Sequence, residues 1–439
     1  CLLFILFSGL LVGSVPLLGS PLVEQEAVET QLPTLTSTPD VSRATVVIPR
    51  ITSTPSPYEA VYEEALLIEQ QVSLLRGLEV STPILCEFYT REELHRLLEQ
   101  DYPILSLPEP DRFTFSTLGL YDDRETTALD ENVPAEILLS ILDEQEAGRC
   151  SVLWEDPGQP GWQTDYARSF ARTLIRSKYS DPSGETCGLF VPPYDHCLAE
   201  RALLEGDAFL AARQWQRQFG GPETDPPALL NEPAPDAFPG TLAAFPHVNG
   251  YEYVQQAYLE AGWAGVDSLY EDPPVSTHRV LHPDSWWQPV ELEPFDDVSA
   301  ELGAGWQLVN EGGMGEWLIT LFLQTELSED DSRLAAEGWE ADRFQAYRNR
   351  STGETMLVWA AQWQSIPDVY SARKALREYA GERFGEIQAI TPDEITVDAS
   401  PALRIERTGL QTLMILGPDK ELIDTMRDQI IFPFRSIEP

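Results

Sequence analysis

The side chains able to do chemistry by type and spacing lie in a few short stretches. In "DYARSFARTLIRSKY", residues 165–179, Arg168, Arg172 and Arg176 recur at every fourth position. On a helix they would share one side, each a turn from the next. Tyr166, Ala167, Phe170, Ala171, Leu174 and Ile175 fill one contiguous half of the same wheel, and the arginines run along its edge. There a long cationic side chain can lie on apolar surface and still reach water. Glu205, in "ALLEGDAFL", falls between Leu198 and Ala202 on one side and Phe209 and Ala212 on the other, among the small residues Ala202, Gly206 and Ala208. Two readings stand for it: a carboxylate reaching solvent past small neighbours, or a buried acid. The buried acid needs a cationic partner, because a bare buried charge costs several kcal/mol.

The chain has five histidines, at 95, 196, 247, 278 and 282. His278 and His282 in "THRVLH" are four apart, but Pro283 and the preceding "PPVS" suit a short turn better than a long helix. His196 follows Asp195 at a helix start, where capping is the common role. If a metal is held by these histidines, His278, His282 and Glu205 form the set to hold it. "NEGGMGEW" lacks the lysine and the preceding strand of a phosphate loop and reads as the tight approach to a helix starting near Glu316. No Gly-x-Ser-x-Gly elbow occurs, no cysteine has a convincing histidine partner, and the tryptophans read as packing residues.

The elements that must position these groups are visible in the apolar spacing. "YEAVYEEALLIEQQVSLLRGL" is a helix and "STPILCEFY" a strand; "TREELHRLLEQ" is a helix with Thr90 and Glu93 as a capping box. Two further helices fit "AEILLSILDEQEAG" and the arginine stretch, with no second strong strand until the C-terminal part. "DHCLAERALLEGDAFLAARQWQRQFGG" is a long helix with Asp195 as N-cap and Gly220 just beyond its end; "NEPAPDAFPG" breaks the chain, and helix resumes over about 248–271. From about residue 299 the texture is mixed. Strands are expected at "GWQLVN", "DRFQAYRN", "TMLVWAAQW", "ALRIERT" and "QTLMILG", with helices at "GEWLITLFLQTEL", "SIPDVYSARKALREYAGERF" and "DKELIDTMRDQI". The fold class is therefore α+β, a mainly helical half followed by a mixed half with a largely antiparallel sheet.

In the whole chain of 439 residues, 72 acids face 29 bases for a formal charge of −43. Nucleic acid is excluded as a partner by that balance, since its binding rests on cations that neutralise phosphates. Residues 1–23 carry no charge and read as a signal peptide or N-terminal membrane anchor, and the Thr/Pro/Ser-rich 24–57 reads as a linker. Residues 58–295 and 296–439 follow as the helical domain and the mixed module. The expected place is extracytoplasmic, cell-surface or secreted. Cys86, Cys150, Cys187 and Cys197 are then disulfide candidates. Cys187 and Cys197, ten apart around a Pro-Pro turn, are the local pair, and Cys86 with Cys150 follows by exclusion. No zinc-knuckle spacing is present.

Taken together, "EQEAG", the "YAxxFxxxL" helix, "RALLEGDA", and "GYEYVQQAYLEAGWAGVDSLYEDPPVSTHRVLHPDSWW" resemble the exported zinc metallopeptidases of bacteria, and "GMGEWLITLFL" and "AAEGWEADRFQAYRN" continue the likeness. It runs from about residue 58 to 385. The resemblance implies a zincin-like helical half in which one helix carries His-Glu-x-x-His and a later glutamate is the third zinc ligand. The two histidine positions here are Arg168 and Arg172, the general-base position is Ser169, and the third-ligand position is Glu205. Arginine offers no lone pair to a metal, and serine does not deprotonate water as a glutamate does. The resemblance thus implies a catalytically inactive relative with no zinc cofactor at this place, with a peptide- or protein-binding or scaffold role. A hydrolase with relocated ligands and a structural envelope protein are the alternatives. Removing a dication from beside Glu205 leaves a negative charge, so an Arg168 or Arg172 bridge to Glu205 is expected.

Overall fold

The computed structural model describes residues 57–80, 83–101, 107–121, 135–144, 148–154, 161–179, 187, 192–220, 238–284, 290–433 and 436–437. The segment 1–23 and all but the last residue of the linker 24–57 lie outside the described residues. No described helix is long and apolar enough to cross a membrane.

The first half runs α1 (Pro57–Arg76), β1 (Leu85–Tyr89), α2 (Arg91–Asp101), α3 (Glu109–Leu118), α4 (Ala135–Glu144), β2 (Arg149–Leu153), α5 (Trp162–Lys178), α6 (Tyr194–Phe219), α7 (Phe238–Ala261), α8 (Trp263–Leu269) and α9 (Thr277–Leu281). The second runs β3 (Glu291–Leu292), β4 (Trp306–Gly312), α10 (Gly315–Gln324), α11 (Glu329–Ala336), β5 (Trp339–Asn349), β6 (Thr355–Trp363), α12 (Ile366–Phe384), β7 (Gln388–Thr391), β8 (Glu394–Val397), β9 (Ala402–Thr408), β10 (Gln411–Gly417), α13 (Lys420–Gln429) and β11 (Ser436–Ile437). The architecture is α+β, with the helices concentrated in the first half. A seven-stranded antiparallel sheet, ordered β4-β5-β6-β10-β9-β8-β7, occupies the second.

The capping box starts α2 as expected: the Thr90 N–H donates to Glu93 Oε2 at 2.9 Å, and the Glu93 N–H donates to Thr90 Oγ1 at 3.2 Å. In β6 the near-continuous apolar run is explained by burial on both sides. Leu357, Trp359, Ala361 and Trp363 join the core shared with α10 and α12, and Met356, Val358 and Ala360 join the core under α13. The first of these cores also takes in Leu198 and Phe209 of α6 and Phe245 and Val254 of α7, so apolar packing is continuous across residue 295. Residues Pro55–Pro439 cluster as one unit.

Four sequence expectations need correction. A strand does appear in the first half: "RCSVL" forms β2, which pairs parallel to β1 with Cys86 opposite Cys150. It is only five residues long and takes its stability from α5 packed upon it and from that cross-link, neither visible as alternation. Asp195 is not the N-cap of α6, a place taken by Pro193 without a side-chain bond. The α7 helix begins at Phe238, ten residues before the expected 248, because a proline in the first turn removes an N–H that has no helical partner anyway. The fourth is that the arginines of α5 do not snorkel: Arg168 and Arg172 are buried. The second cross-link, Cys187–Cys197, is also present, so both expected pairings hold. Two disulfides match an oxidising, extracytoplasmic setting.

Candidate functional site

Four helices, α4 to α7, bring the site together, and glycines set how closely two of them approach. A Cβ on Gly206 of α6 would lie 2.0 Å from Gly250 O of α7, and one on Gly250 would lie 2.1 Å from Ala202 O. Backbone therefore touches backbone where α6 crosses α7. The small residues around Glu205 serve this crossing, which puts its side chain next to His247, one turn before Gly250.

Glu205 is 1% exposed and its carboxylate is fully engaged. Arg172 Nε donates to Oε1 at 2.8 Å and Arg172 Nη2 to Oε2 at 3.0 Å, a two-pronged bridge. Arg168 Nη2 stands 3.6 Å from Oε2. Arg172 Nη1 turns the other way, donating to Asp143 Oδ2 of α4 at 3.1 Å. Arg176 Nη1 donates to the Asp143 carbonyl at 2.8 Å. The expected Arg–Glu bridge is thus present, made chiefly by Arg172. Burial on its own would raise the Glu205 pKa, but Arg172 with help from Arg168 outweighs it and holds the carboxyl well below the usual range. At Asp143 burial prevails over Arg172 and pushes the carboxyl up to about 6. Arg201, buried on α6 a turn before Glu205, is brought down to about 10 by burial against the pull of Glu205.

His247 has the look of a catalytic base without its function. Its Nε2 lies 3.3 Å from Ser140 Oγ, and its Nδ1 lies 3.3 Å from Glu205 Oε2, the outline of a Ser–His–Glu relay. But Arg168 Nη2 is 2.6 Å from the same Nδ1. A guanidinium only donates, so Nδ1 carries a lone pair and the proton sits on Nε2, pointing at the serine. The Ser140 hydroxyl donates instead to Ile137 O at 2.8 Å. Burial drives the histidine down to about 4, so it stays neutral. With Ser140, His247 and Glu205 all buried, no substrate reaches this triad.

Ser169 is buried beside Arg168 and Arg172. With Asp165, Leu139 and Leu153 these three line a cavity of about 10 Å³, room for roughly one water. No side chain here is placed to ionise a nucleophile or ligate a metal while remaining reachable.

His278 and His282 do come together, but not with Glu205. Glu205 is committed to Arg172, whereas the carboxylate between the two histidines is Glu316, buried in the first turn of α10. That corrects the set His278, His282 and Glu205. Asp143, His247 and Glu316 escaped the sequence reading. Signals existed: Asp143 ends the apolar run "AEILLSILD", and His247 lies one turn from a glycine at the same helix crossing. Glu316 was seen only as a helix start.

Residues 305–427, from just before β4 into α13, match a family described as Domain of unknown function (DUF8575). This segment includes Glu316 and leaves out α5, α6 and α7. No curated protein matches the chain, and no solved structure does.

Proposed function

We propose that this chain is a non-catalytic relative of the exported zinc metallopeptidases, kept as an extracytoplasmic scaffold or protein-binding protein. The observation that carries the reading is the bridge of Arg172 to Glu205 and Asp143, with Arg168 alongside. Fixed positive charge stands at both positions where the resemblance would put zinc-binding histidines, against the one carboxylate it retains. Such a cluster needs no ion to be neutral and admits none, since its carboxylate lone pairs already accept from guanidinium N–H groups.

Among the described residues the space at this cluster is too small for a peptide side chain, which favours a scaffold or surface-binding role over peptide capture in the former cleft. The acidic surface would keep such a protein solvated and monodisperse. An N-terminal segment that tethers it to a membrane belongs to the same reading. Incubating the purified chain with a peptide library, with and without a chelator, tests it. No cleavage above a blank is expected. Cleavage that the chelator abolishes overturns the proposal.

A further inference from the structure

Outside the arginine cluster, two groups of described side chains have metal-binding types within reach of one another. In the first, Cys187, His196 and Glu200, the sulfur is tied up in the disulfide to Cys197, and His196 is paired along its helix with Glu200 at 3.2 Å. That group has no thiolate to offer. The second, His278, His282 and Glu316, is different.

His278 Nδ1 lies 2.5 Å from Glu316 Oε2, and His282 Nε2 lies 2.9 Å from Glu316 Oε1, so one carboxylate spans both imidazoles. One ligand atom from each residue falls within 4.8 Å of the other two. Tetrahedral zinc, with bonds of about 2.1 Å, sets neighbouring ligand atoms about 3.4 Å apart. The two imidazole–carboxylate contacts would open by about 1 Å or less to reach that spacing. The residue best able to adjust is His282, which sits past the end of α9 and keeps 28% of its side-chain surface exposed.

The other two ligands stand on a frame held from both sides by half-buried carboxylates. Asp195 of α6 accepts from the Thr277 N–H at 2.9 Å and from the Thr277 hydroxyl, fixing the start of α9. Asp342 of β5 accepts from the N–H groups of Met314 and Gly315, at 2.8 and 2.9 Å, and from the indole N–H groups of Trp339 and Trp359, fixing the start of α10. Ser276 Oγ accepts from the His278 N–H at 3.1 Å, and the Trp317 N–H donates to Thr277 Oγ1 at 3.3 Å, joining α9 to α10 directly. Gly315 takes φ +74°, and a Cβ there would fall 2.1 Å from the Asp195 carboxyl carbon, so the α10 start sits directly against Asp195. This is the support that a preorganised ligand set needs.

The geometry points to a divalent-metal site, of the kind that takes zinc, formed by His278, His282 and Glu316. Two imidazoles and one carboxylate are a common three-residue zinc set, and the exposed side at His282 leaves the fourth position to water. Gln364 Nε2 donates to Trp339 O at 3.1 Å and lies 3.1 Å from His278 Nε2, so the metal-free histidine carries its proton on Nδ1, facing Glu316. Metal at Nδ1 replaces that proton, Nε2 gains one, and the Gln364 amide turns its oxygen towards it. Glu337 adds negative charge near His282, in a chain whose formal charge is already −43.

The full chain, stripped with a chelator, is titrated with zinc by calorimetry, and with cobalt(II) for its visible spectrum. One ion per chain is expected, with a tetrahedral cobalt spectrum lacking thiolate bands and a zinc-dependent rise in melting temperature. Since His278 and Glu316 are buried and their variants can misfold, the deciding variant is His282→Ala at the half-exposed ligand. It is expected to weaken zinc at least about tenfold and to reduce the thermal shift accordingly. Absence of binding at micromolar zinc, or equal binding by His282→Ala, overturns the assignment. Peptide cleavage is not read in this experiment, so its outcome is independent of the non-catalytic proposal.

Discussion

Two pairs of side chains four residues apart, Arg168 with Arg172 on α5 and His278 with His282 at α9, each converge on a buried glutamate of another element. The resulting states are opposite. Around Glu205 the partners are guanidiniums, permanently charged and without lone pairs, and the whole cluster is enclosed. Around Glu316 the partners are imidazoles, which can exchange a proton for a metal, and one of them faces solvent. The same spacing therefore yields a site neutralised from within or one that takes its cation from solution. Side-chain chemistry and access decide which.

The contrast is sharpest in what each carboxylate is worth to the fold. Glu205→Ala leaves Arg172 with Asp143 alone, and Arg168 and Arg201 with less compensation, in a place water does not reach. Denaturant unfolding should show a loss of about 3–5 kcal/mol. Glu316→Gln strands only neutral-capable histidines and should cost about 1–3 kcal/mol. Equal losses would mean that the arginine cluster is no more dependent on its carboxylate than the histidine cluster, and the contrast would fail. Next in size comes the helix crossing that holds Glu205 and His247 together. Gly206→Ala drives a methyl into Gly250 O, and overpacking of this kind costs about 1–3 kcal/mol.

How much of this could be read from the sequence follows the range of the interaction. The α12, β6, β9 and β10 stretches are legible because each carries its own apolar period, capping residue or both. The β2, β7 and β8 strands and α11 are not, being five, four, four and eight residues long and stabilised by neighbours distant in sequence. The small residues flanking Glu205 on its own helix allow a buried acid as one of two readings, and its pairing with Arg168 or Arg172 follows only from what the zinc-peptidase resemblance implies for those positions. Asp143 and His247 reach the same spot from α4 and α7, and no local spacing records that convergence. Glu316 failed for the same reason: it meets His278 and His282 from 38 and 34 residues away.

Acid should act differently on the two histidine environments. His247, brought by burial to about 4 against a usual value near 6.5, has a folded pKa below its unfolded one. Its contribution is complete above about pH 6.5 and is lost as pH falls towards 4, amounting to about 2 kcal/mol between pH 7 and 5. Asp143, raised to about 6, runs the other way, gaining stability as it protonates in the same window. The quantity to measure is therefore the difference between wild type and His247→Gln, by denaturant unfolding at each pH. The variant should lose about 2 kcal/mol less on acidification, and a pH-independent difference would mean that His247 titrates in the fold as it does in the unfolded chain.

The smallest effect belongs to His282. It is half-exposed, its bond to Glu316 is one of two that the carboxylate accepts from the histidines, and its pKa is raised by Glu316 and Glu337 in spite of partial burial. Without metal, His282→Ala should cost about 1 kcal/mol or less, since a half-solvated hydrogen bond is readily replaced by water. With zinc present at about a hundred times its dissociation constant, wild type gains about 2.7 kcal/mol and a variant that binds tenfold more weakly gains about 1.4 kcal/mol. The gap between the two proteins should therefore open on adding zinc and close again on adding chelator. The equivalent experiment at the arginine cluster, with Glu205→Gln, should show a gap that neither addition changes. A zinc-dependent gap at Glu205, or none at His282, would reverse which of the two clusters is open to an ion.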